Sequence, residues 1–149
     1  MSKTWSKPSV YTPGVVVNGE EWRDWSSRII PGKSTPGMSL ELQLSEAKPL
    51  EFEVQFNTPG NGKSDQKLRT HLALLGFGLE TEVSSGENSG KKLKHEFVVL
   101  DWSEQTGSAG QKIQFKFKKP SQKYTRLAAV TWVENLKNPV PLQITGGYL

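Results

Sequence analysis

Two neighbouring stretches of the chain alternate strictly between apolar and polar side chains. Residues 38–44 and 50–56 carry an apolar residue at every second position: Met38, Leu40, Leu42, Leu44, Leu50, Phe52, Val54 and Phe56. Successive side chains of a strand point to opposite faces of a sheet, so a period of two gathers the apolar groups on one face. The pattern predicts two strands, each buried on one face and solvated on the other, joined by a short loop at residues 45–49.

The rest of the chain shows further short strand patterns and almost no helical periodicity. Strands are predicted at residues 10–18, 69–75, 79–83, 95–102, 113–117, 127–134 and 141–148. Gly76 and Gly78 predict a bend or bulge, and residues 97–100 are expected to be buried on both faces or to straddle a twist. Loops are predicted at 57–64, 84–92, 103–110 and 135–139. Together these patterns predict an all-β fold, an antiparallel β-sandwich of about seven to eight strands.

The length of 149 residues suits one domain with a buried core. Proline and glycine mark residues 31–37 as a loop. This loop is predicted to separate a leading segment, residues 1–30, from the sandwich domain, residues 38–149. No apolar run approaches the roughly 20 residues of a membrane-spanning helix, so no membrane span is expected.

The sequence contains no cysteine, which excludes disulfides, thiol nucleophiles and thiolate metal sites. His71 and His95 are the two histidines. His71 lies in an apolar strand pattern, and His95 is adjacent to Glu96, so these two side chains point to opposite faces of a strand. We therefore expect no catalytic residues, no metal site and no cofactor, and an enzymatic role is the less favoured interpretation.

Three stretches of the sequence together resemble a known family. They are Tyr-Thr-Pro-Gly-Val-Val-Val-Asn-Gly at residues 11–19, Ser-Gly-Glu-Asn-Ser-Gly-Lys-Lys-Leu at residues 85–93, and Ala-Val-Thr-Trp-Val at residues 129–133 followed by Gly146 and Gly147. Their order and spacing resemble a family of secreted bacterial proteins catalogued as domain of unknown function 1223. The resemblance covers most of residues 10–149.

The resemblance implies more about the fold than about the function. Members of the family combine an N-terminal thioredoxin-like domain with a C-terminal antiparallel β-domain, so residues 1–30 are expected to hold a short thioredoxin-like remnant. Thr12 and Pro13 correspond to the cis-proline turn of that fold, and the protein is expected to be periplasmic or secreted. The Cys-x-x-Cys half is missing here, so the resemblance carries no redox activity over to this chain.

The tryptophans are candidates for contacts, because large aromatic side chains anchor interfaces and stack on sugars. Trp22 and Trp25 lie in the leading segment and either dock a partner or pack into the core. Trp102 lies at the end of a predicted strand and is expected to be exposed, whereas Trp132 lies in an apolar strand and is expected in the core. We predict Trp22, Trp25 and Trp102 as partner-binding residues.

The glycine-rich loop at residues 84–92 is a second candidate contact surface. Gly86 and Gly90 allow backbone N–H groups to converge on an anion. The predicted contact residues of this loop are Glu87, Asn88, Lys91 and Lys92. The alternative is a structural hairpin turn in which the glycines supply left-handed geometry.

The net charge of +4 permits contact with acidic partners. Phe115 and Phe117 alternate with Lys116 and Lys118, which puts the rings on the face opposite the ammonium groups and argues against nucleic-acid binding. The sequence thus predicts a non-catalytic binding module for a protein partner, with a carbohydrate or an anion as other ligands. Two alternatives stay open. One is the accessory half of a thioredoxin-like oxidoreductase whose cysteine-bearing half is absent or supplied by another chain, and the other is a lectin-like carbohydrate binder.

Overall fold

The computed structural model describes residues 16–17, 20–21, 37–45, 48–58 and 66–149. The chain divides into two compact units, Met1–Lys33 and Ser34–Leu149. In the first unit, strand β1 (Val16–Val17) pairs antiparallel with β2 (Glu20–Glu21). The thioredoxin-like remnant, the cis-proline turn at Thr12-Pro13, and Trp22 and Trp25 fall outside the described residues and stay predictions.

The described residues of the second unit form strands and turns, without a helix. The strands are β3 (Ser39–Leu44), β4 (Glu51–Asn57), β5 (Lys67–Phe77), β6 (Leu79–Glu82), β7 (Lys92–His95), β8 (Val98–Ser108), β9 (Lys112–Lys116), β10 (Arg126–Asn135) and β11 (Asn138–Tyr148). All their pairings are antiparallel. The predicted all-β fold is confirmed.

Within the described part of the chain, no helix has the length and apolar character to cross a membrane.

Two sheets enclose the core. The four-stranded sheet has the order β11-β10-β5-β8, and the three-stranded sheet has the order β3-β4-β9. Apolar side chains from both sheets form one buried cluster that includes Phe52, Val54, Phe56, Leu68, Leu72, Leu74, Ile113, Phe115, Ala129 and Val133. Because a single cluster lies between the two sheets, the arrangement is the predicted antiparallel β-sandwich.

Strands β4 and β9 follow the alternation in the sequence, whereas Leu44 at the end of β3 is 43% exposed. Phe52 pairs with Phe115 and Val54 pairs with Ile113 across β4 and β9, and all four side chains are buried. Strand β5 is different, because almost every residue from position 68 to position 77 is buried. It lies between β10 and β8 in the centre of its sheet, and its near-continuous apolar run is typical of a strand covered on both faces.

Strands β5 to β8 form one long hairpin that is kinked partway along. The register continues across the kink without a slip, since Gly76 pairs with Val98 and Leu79 pairs with His95. At the kink Gly78 has φ +65° and Phe97 has φ +57°, both in the left-handed region. The predicted bend at the glycines is therefore confirmed, and strands β6 and β7 continue beyond it as a separate two-stranded ribbon.

Three sequence-based predictions for this region and for β10 are wrong. The loop expected at residues 103–110 is strand as far as Ser108, because β8 is an edge strand whose polar side chains remain solvated. For residues 97–100 the first of the two interpretations, burial on both faces, is wrong, since Phe97 is 68% exposed and Val99 is 59% exposed. Trp132 is half-buried and alternates with the core residue Val133, so it points away from the core.

Candidate functional site

The side of the four-stranded sheet that faces away from the core carries an unusual number of large apolar side chains. On β5 the core side is marked by Leu72 and Leu74, so His71 and Ala73 point the other way. Cross-strand pairing adds further residues to this side. We call it the aromatic face, formed by Arg69, His71, Ala73, Phe77, Phe97, Val99, Trp102, Glu104, Arg126, Trp132, Glu134, Ile144 and Tyr148.

Three stacked rings lie at the centre of the aromatic face. The His71 ring lies 4.6 Å from the Trp132 ring at an interplanar angle of 6°, and 5.6 Å from the Trp102 ring at 17°. Trp132 is directly opposite His71 in the register, whereas Trp102 is opposite Ala73. The small Ala73 side chain leaves room for the indole of Trp102 to reach the imidazole. Parallel aromatic rings at these separations stabilise one another and hold a fixed orientation.

Two carboxylates approach the ring nitrogens of His71. Glu134 Oε1 lies 3.2 Å from His71 Nε2, and Glu104 Oε2 lies 3.6 Å from His71 Nδ1. The imidazole is buried, at 5% exposure, and neither ring nitrogen has a partner with hydrogen-bond geometry. The pairing register brings these three side chains together from β5, β8 and β10.

Arg69 completes this charged group. Its Nη1 donates a hydrogen bond to Glu134 Oε1 at 3.3 Å, and its Nε lies 3.9 Å from Glu104 Oε1. Glu134 is buried, whereas Glu104 is 44% exposed at its side chain. A buried carboxylate needs a charged or hydrogen-bonding partner, and Arg69 supplies one to Glu134.

A second group of rings lies near the kink of the long hairpin. The Phe77 ring contacts the Phe97 ring edge-on at 4.7 Å and the Tyr148 ring at 5.3 Å. The Arg126 guanidinium lies 4.1 Å from the centre of the Tyr148 ring, a cation–π contact. A left-handed backbone is strained for a bulky side chain such as Phe97, yet its ring remains largely exposed. The backbone at the kink thus displays an aromatic ring on the surface.

The kink is held by specific hydrogen bonds. The backbone N–H of Gly78 donates to the Glu96 carboxylate at 3.2 Å. The backbone N–H of Thr125 donates to the Phe77 carbonyl at 2.8 Å, and the Thr125 hydroxyl donates to the same carbonyl at 3.1 Å. These bonds fix the strained backbone around Phe97, so the exposed ring is positioned by the fold.

The predicted contact loop lies on the β6–β7 ribbon, beyond the kink. Its four predicted residues, Glu87, Asn88, Lys91 and Lys92, are exposed. Lys91 Nζ donates to Asn88 Oδ1 at 3.0 Å, and Lys92 Nζ lies 3.4 Å from Glu82 Oε1. Gly86 and Gly90 have φ +83° and +79°, so both glycines do supply left-handed geometry.

The backbone of this loop uses several of its own donors. The N–H groups of Ser89, Gly90 and Lys91 donate to carbonyls within the hairpin, at 3.0, 2.8 and 3.1 Å. These three amides are engaged in the turn, which is the geometry of a structural hairpin. A role of the loop in contacts stays a prediction.

A cavity of about 550 Å³ lies beside the ribbon, lined by Leu79, Glu80, Thr81, His95, Val98, Gln122 and Lys123. It is a mixed polar and apolar cleft on the surface. Among the described residues, no group of three or more His, Asp or Glu side chains is placed to hold a metal ion. The groups that converge on the aromatic face are ring surfaces and carboxylates, which are suited to recognition.

Of the predicted partner-binding residues, the structure places Trp102 on the aromatic face, 49% exposed. Sequence reasoning missed its neighbours His71, Glu104 and Glu134. Each comes from a different strand, and only the register of β8, β5 and β10 brings them together. One local signal was present, because Trp102 and Glu104 are two residues apart and therefore share a face of any strand.

The comparisons with known proteins identify a family and no characterised relative. The sequence profile of the family described as "Protein of unknown function (DUF1223)" matches residues 1–134, so the chain belongs to this family. Searches of curated proteins and of solved structures return no match. The resemblance noted from the sequence motifs is confirmed at the level of the family.

Proposed function

We propose that this member of the DUF1223 family is a non-catalytic interaction module that binds a protein partner through its aromatic face. The observation that carries the proposal is the set of large apolar side chains exposed together on one side of one sheet: Phe97, Val99, Trp102, Ile144 and Tyr148. Isolated exposed apolar residues are ordinary, whereas a shared face of them is typical of protein interaction sites.

The anchors on this face are pre-organised. Trp102 is held by its stack on the buried His71, and Phe97 is held by its contact with Phe77 and by the strained backbone at the kink. A side chain that is already ordered loses less conformational entropy when a partner binds. Aromatic side chains in such positions commonly contribute most of the binding energy of an interface.

The stacking geometry favours a protein over a sugar. A lectin-like site needs two coplanar ring faces open to the ligand. Here His71 lies between Trp102 and Trp132 and covers one face of each indole. The alternative of an accessory half of an oxidoreductase depends on Thr12 and Pro13, which are outside the described residues. It stays a prediction, and no feature of the described β-sandwich supports it.

The proposal is tested by site-specific photocrosslinking in an extract of the source organism. Benzoylphenylalanine replaces Val99 on the aromatic face in one variant. In the matched control it replaces Lys116, which is exposed on the outer side of the three-stranded sheet. We expect a discrete crosslinked protein from position 99 that is absent from position 116.

Trp102→Ala in the position 99 variant should reduce the crosslinked product strongly, with the chain still folded by circular dichroism. Equal products from positions 99 and 116, or a product unaffected by Trp102→Ala, would show that the aromatic face is not the docking surface.

A further inference from the structure

We infer that the partner places a lysine or arginine side chain against Trp102 and Glu104. This inference rests on the proposed function and names the chemistry of the partner at one end of the aromatic face. It follows from the position of these two side chains and from the hydrogen-bond partners that Glu104 and the buried His71 lack.

Trp102 and Glu104 form a pair open to a ligand. They are two residues apart on β8, so both lie on the same face, separated by about 7 Å along the strand. Trp102 is 49% exposed, and Glu104 is 44% exposed at its side chain. β8 is the last strand of its sheet, so no further strand of that sheet lies beyond Trp102. A cation can therefore reach both the indole and the carboxylate.

The charge of Glu104 is poorly compensated. Arg69 hydrogen-bonds to Glu134 at 3.3 Å, and its Nε is 3.9 Å from Glu104, beyond hydrogen-bond distance. Among the described residues, no group donates a hydrogen bond to Glu104. The one guanidinium of this group therefore serves Glu134, and Glu104 is left without a hydrogen-bond donor.

The buried imidazole of His71 is an independent sign of an incomplete site. Both of its nitrogens lack a hydrogen-bond partner, and Nδ1 lies 3.6 Å from Glu104 Oε2. Glu134 accepts a hydrogen bond from Arg69, whereas the Glu104 carboxylate accepts none from a described residue.

A lysine or arginine side chain supplies what is missing. Its charged nitrogen provides donors for the Glu104 carboxylate, and charge-assisted hydrogen bonds are the stronger kind. The same cation is attracted to the face of an indole, which is the best of the aromatic side chains for this contact. An acidic or purely apolar partner would satisfy neither requirement.

The test uses two small probes that differ only in charge, N-acetyl-lysine methyl ester and N-acetyl-norleucine methyl ester. Each is titrated into the ¹⁵N-labelled full chain, and the indole N–H signal of Trp102 is followed, assigned by its loss in Trp102→Phe. We expect a saturable shift with the lysine probe and an affinity at least about threefold higher than that of the norleucine probe.

Glu104→Gln should abolish this preference, and the matched control Glu53→Gln, on the other sheet, should retain it. Equal binding of the two probes, absence of a shift, or a preference that persists in Glu104→Gln would overturn the inference. None of these results affects the crosslinking at position 99. A wrong partner chemistry and a wrong docking surface are thus separate outcomes.

Discussion

The outward sides of the two sheets differ in kind. On the three-stranded sheet the outward residues form a charged ladder of Glu51, Glu53, Gln55, Lys112, Gln114 and Lys116. On the four-stranded sheet the outward residues form the aromatic face. Both sheets cover the same core from opposite sides, so the contrast does not arise from the fold. It lies in the residues that each sheet turns outward.

The charged side chains of the ladder pair with one another. Lys116 Nζ lies 2.8 Å from Glu51, and Lys112 Nζ lies 2.6 Å from Glu53, whose other oxygen accepts a hydrogen bond from Gln114 at 2.8 Å. The hydrogen bond from Lys116 lowers the pKa of Glu51, and the hydrogen bond from Lys112 lowers the pKa of Glu53. Every cation has its carboxylate, and water covers the rest.

On the aromatic face, by contrast, several side chains lack such partners. It exposes Val99 and Ile144 to water and leaves both nitrogens of His71 without a hydrogen bond. Glu104 has an exposed carboxylate that no described residue serves with a hydrogen bond. One domain therefore carries an outward side whose charged groups pair with one another and an outward side with exposed apolar groups and an unpaired imidazole, and the second is the docking surface that we propose.

The largest expected effect on the free energy of unfolding comes from a substitution in the core that lies between the two sheets. Phe52→Ala removes a fully buried ring that packs edge-on against Phe117 at 6.1 Å. We expect a loss of about 3–5 kcal/mol in the free energy of unfolding, measured by urea denaturation. Gln114→Ala on the charged ladder is the control, with a change within about 0.5 kcal/mol. Similar losses in the two variants would show that the cluster between the sheets does not dominate stability.

A smaller loss in the free energy of unfolding is expected when the buried carboxylate of the aromatic face is removed. Glu134→Ala removes the carboxylate that hydrogen-bonds to Arg69 and approaches His71. We expect a loss of about 1–3 kcal/mol in urea denaturation, because the part-buried guanidinium of Arg69 loses its acceptor. Glu53→Ala removes a carboxylate of the charged ladder and should cost less. If the two losses were equal, the buried carboxylate would be no more important than a solvated one.

A smaller effect on stability still is expected from the exposed ring. Trp102→Ala removes an indole that is half-exposed and stacked on His71. We expect a change of about 1 kcal/mol in the free energy of unfolding, since the stack contributes only modestly beyond area burial. Lys116→Ala is the surface control. A loss comparable to that of Phe52→Ala would assign Trp102 to the core and remove it from the docking surface.

The smallest expected effect is the change in stability with pH that arises from Glu51 and Glu53, the two carboxylates of the charged ladder. Their pKa is lower in the folded chain than in the unfolded chain, so their stabilising contribution is present above the unfolded pKa and is lost as the pH falls through the folded pKa. The melting temperature should therefore fall as the pH drops below about 4. This dependence should be weaker in the Glu51→Gln/Glu53→Gln variant and at high salt, where exposed pairs are screened. An unchanged slope would mean that other carboxylates govern acid unfolding.

The residues of the three-stranded sheet were predictable because their signal is local. Phe52, Val54 and Phe56 alternate with polar neighbours, and Ile113 and Phe115 do the same. The structure buries them all. The same reasoning was wrong for residues 97–100 and for Trp132, because a central strand and its neighbours carry apolar residues on both faces. Alternation then no longer tells the inner side from the outer side.

The candidate site was predictable only at Trp102. The group of His71, Glu104 and Glu134 depends on the register of three strands that are distant in the sequence. A slip of one residue in β8 would turn Glu104 to the other side of the sheet. No pattern within a single strand sets that register. It results from the packing of the core and from the bulge opposite Leu74 and Leu75.

The sequence by itself determined the all-β class, the strands with one solvated face, the bend at Gly76 and Gly78, and the absence of thiol chemistry, because these follow from residue type and spacing along one stretch of chain. Only the tertiary structure decided which apolar residues stay exposed and which charged groups meet. The cause is physical: exposure and charge pairing depend on contacts between strands, and such contacts exist only after the sheets have formed.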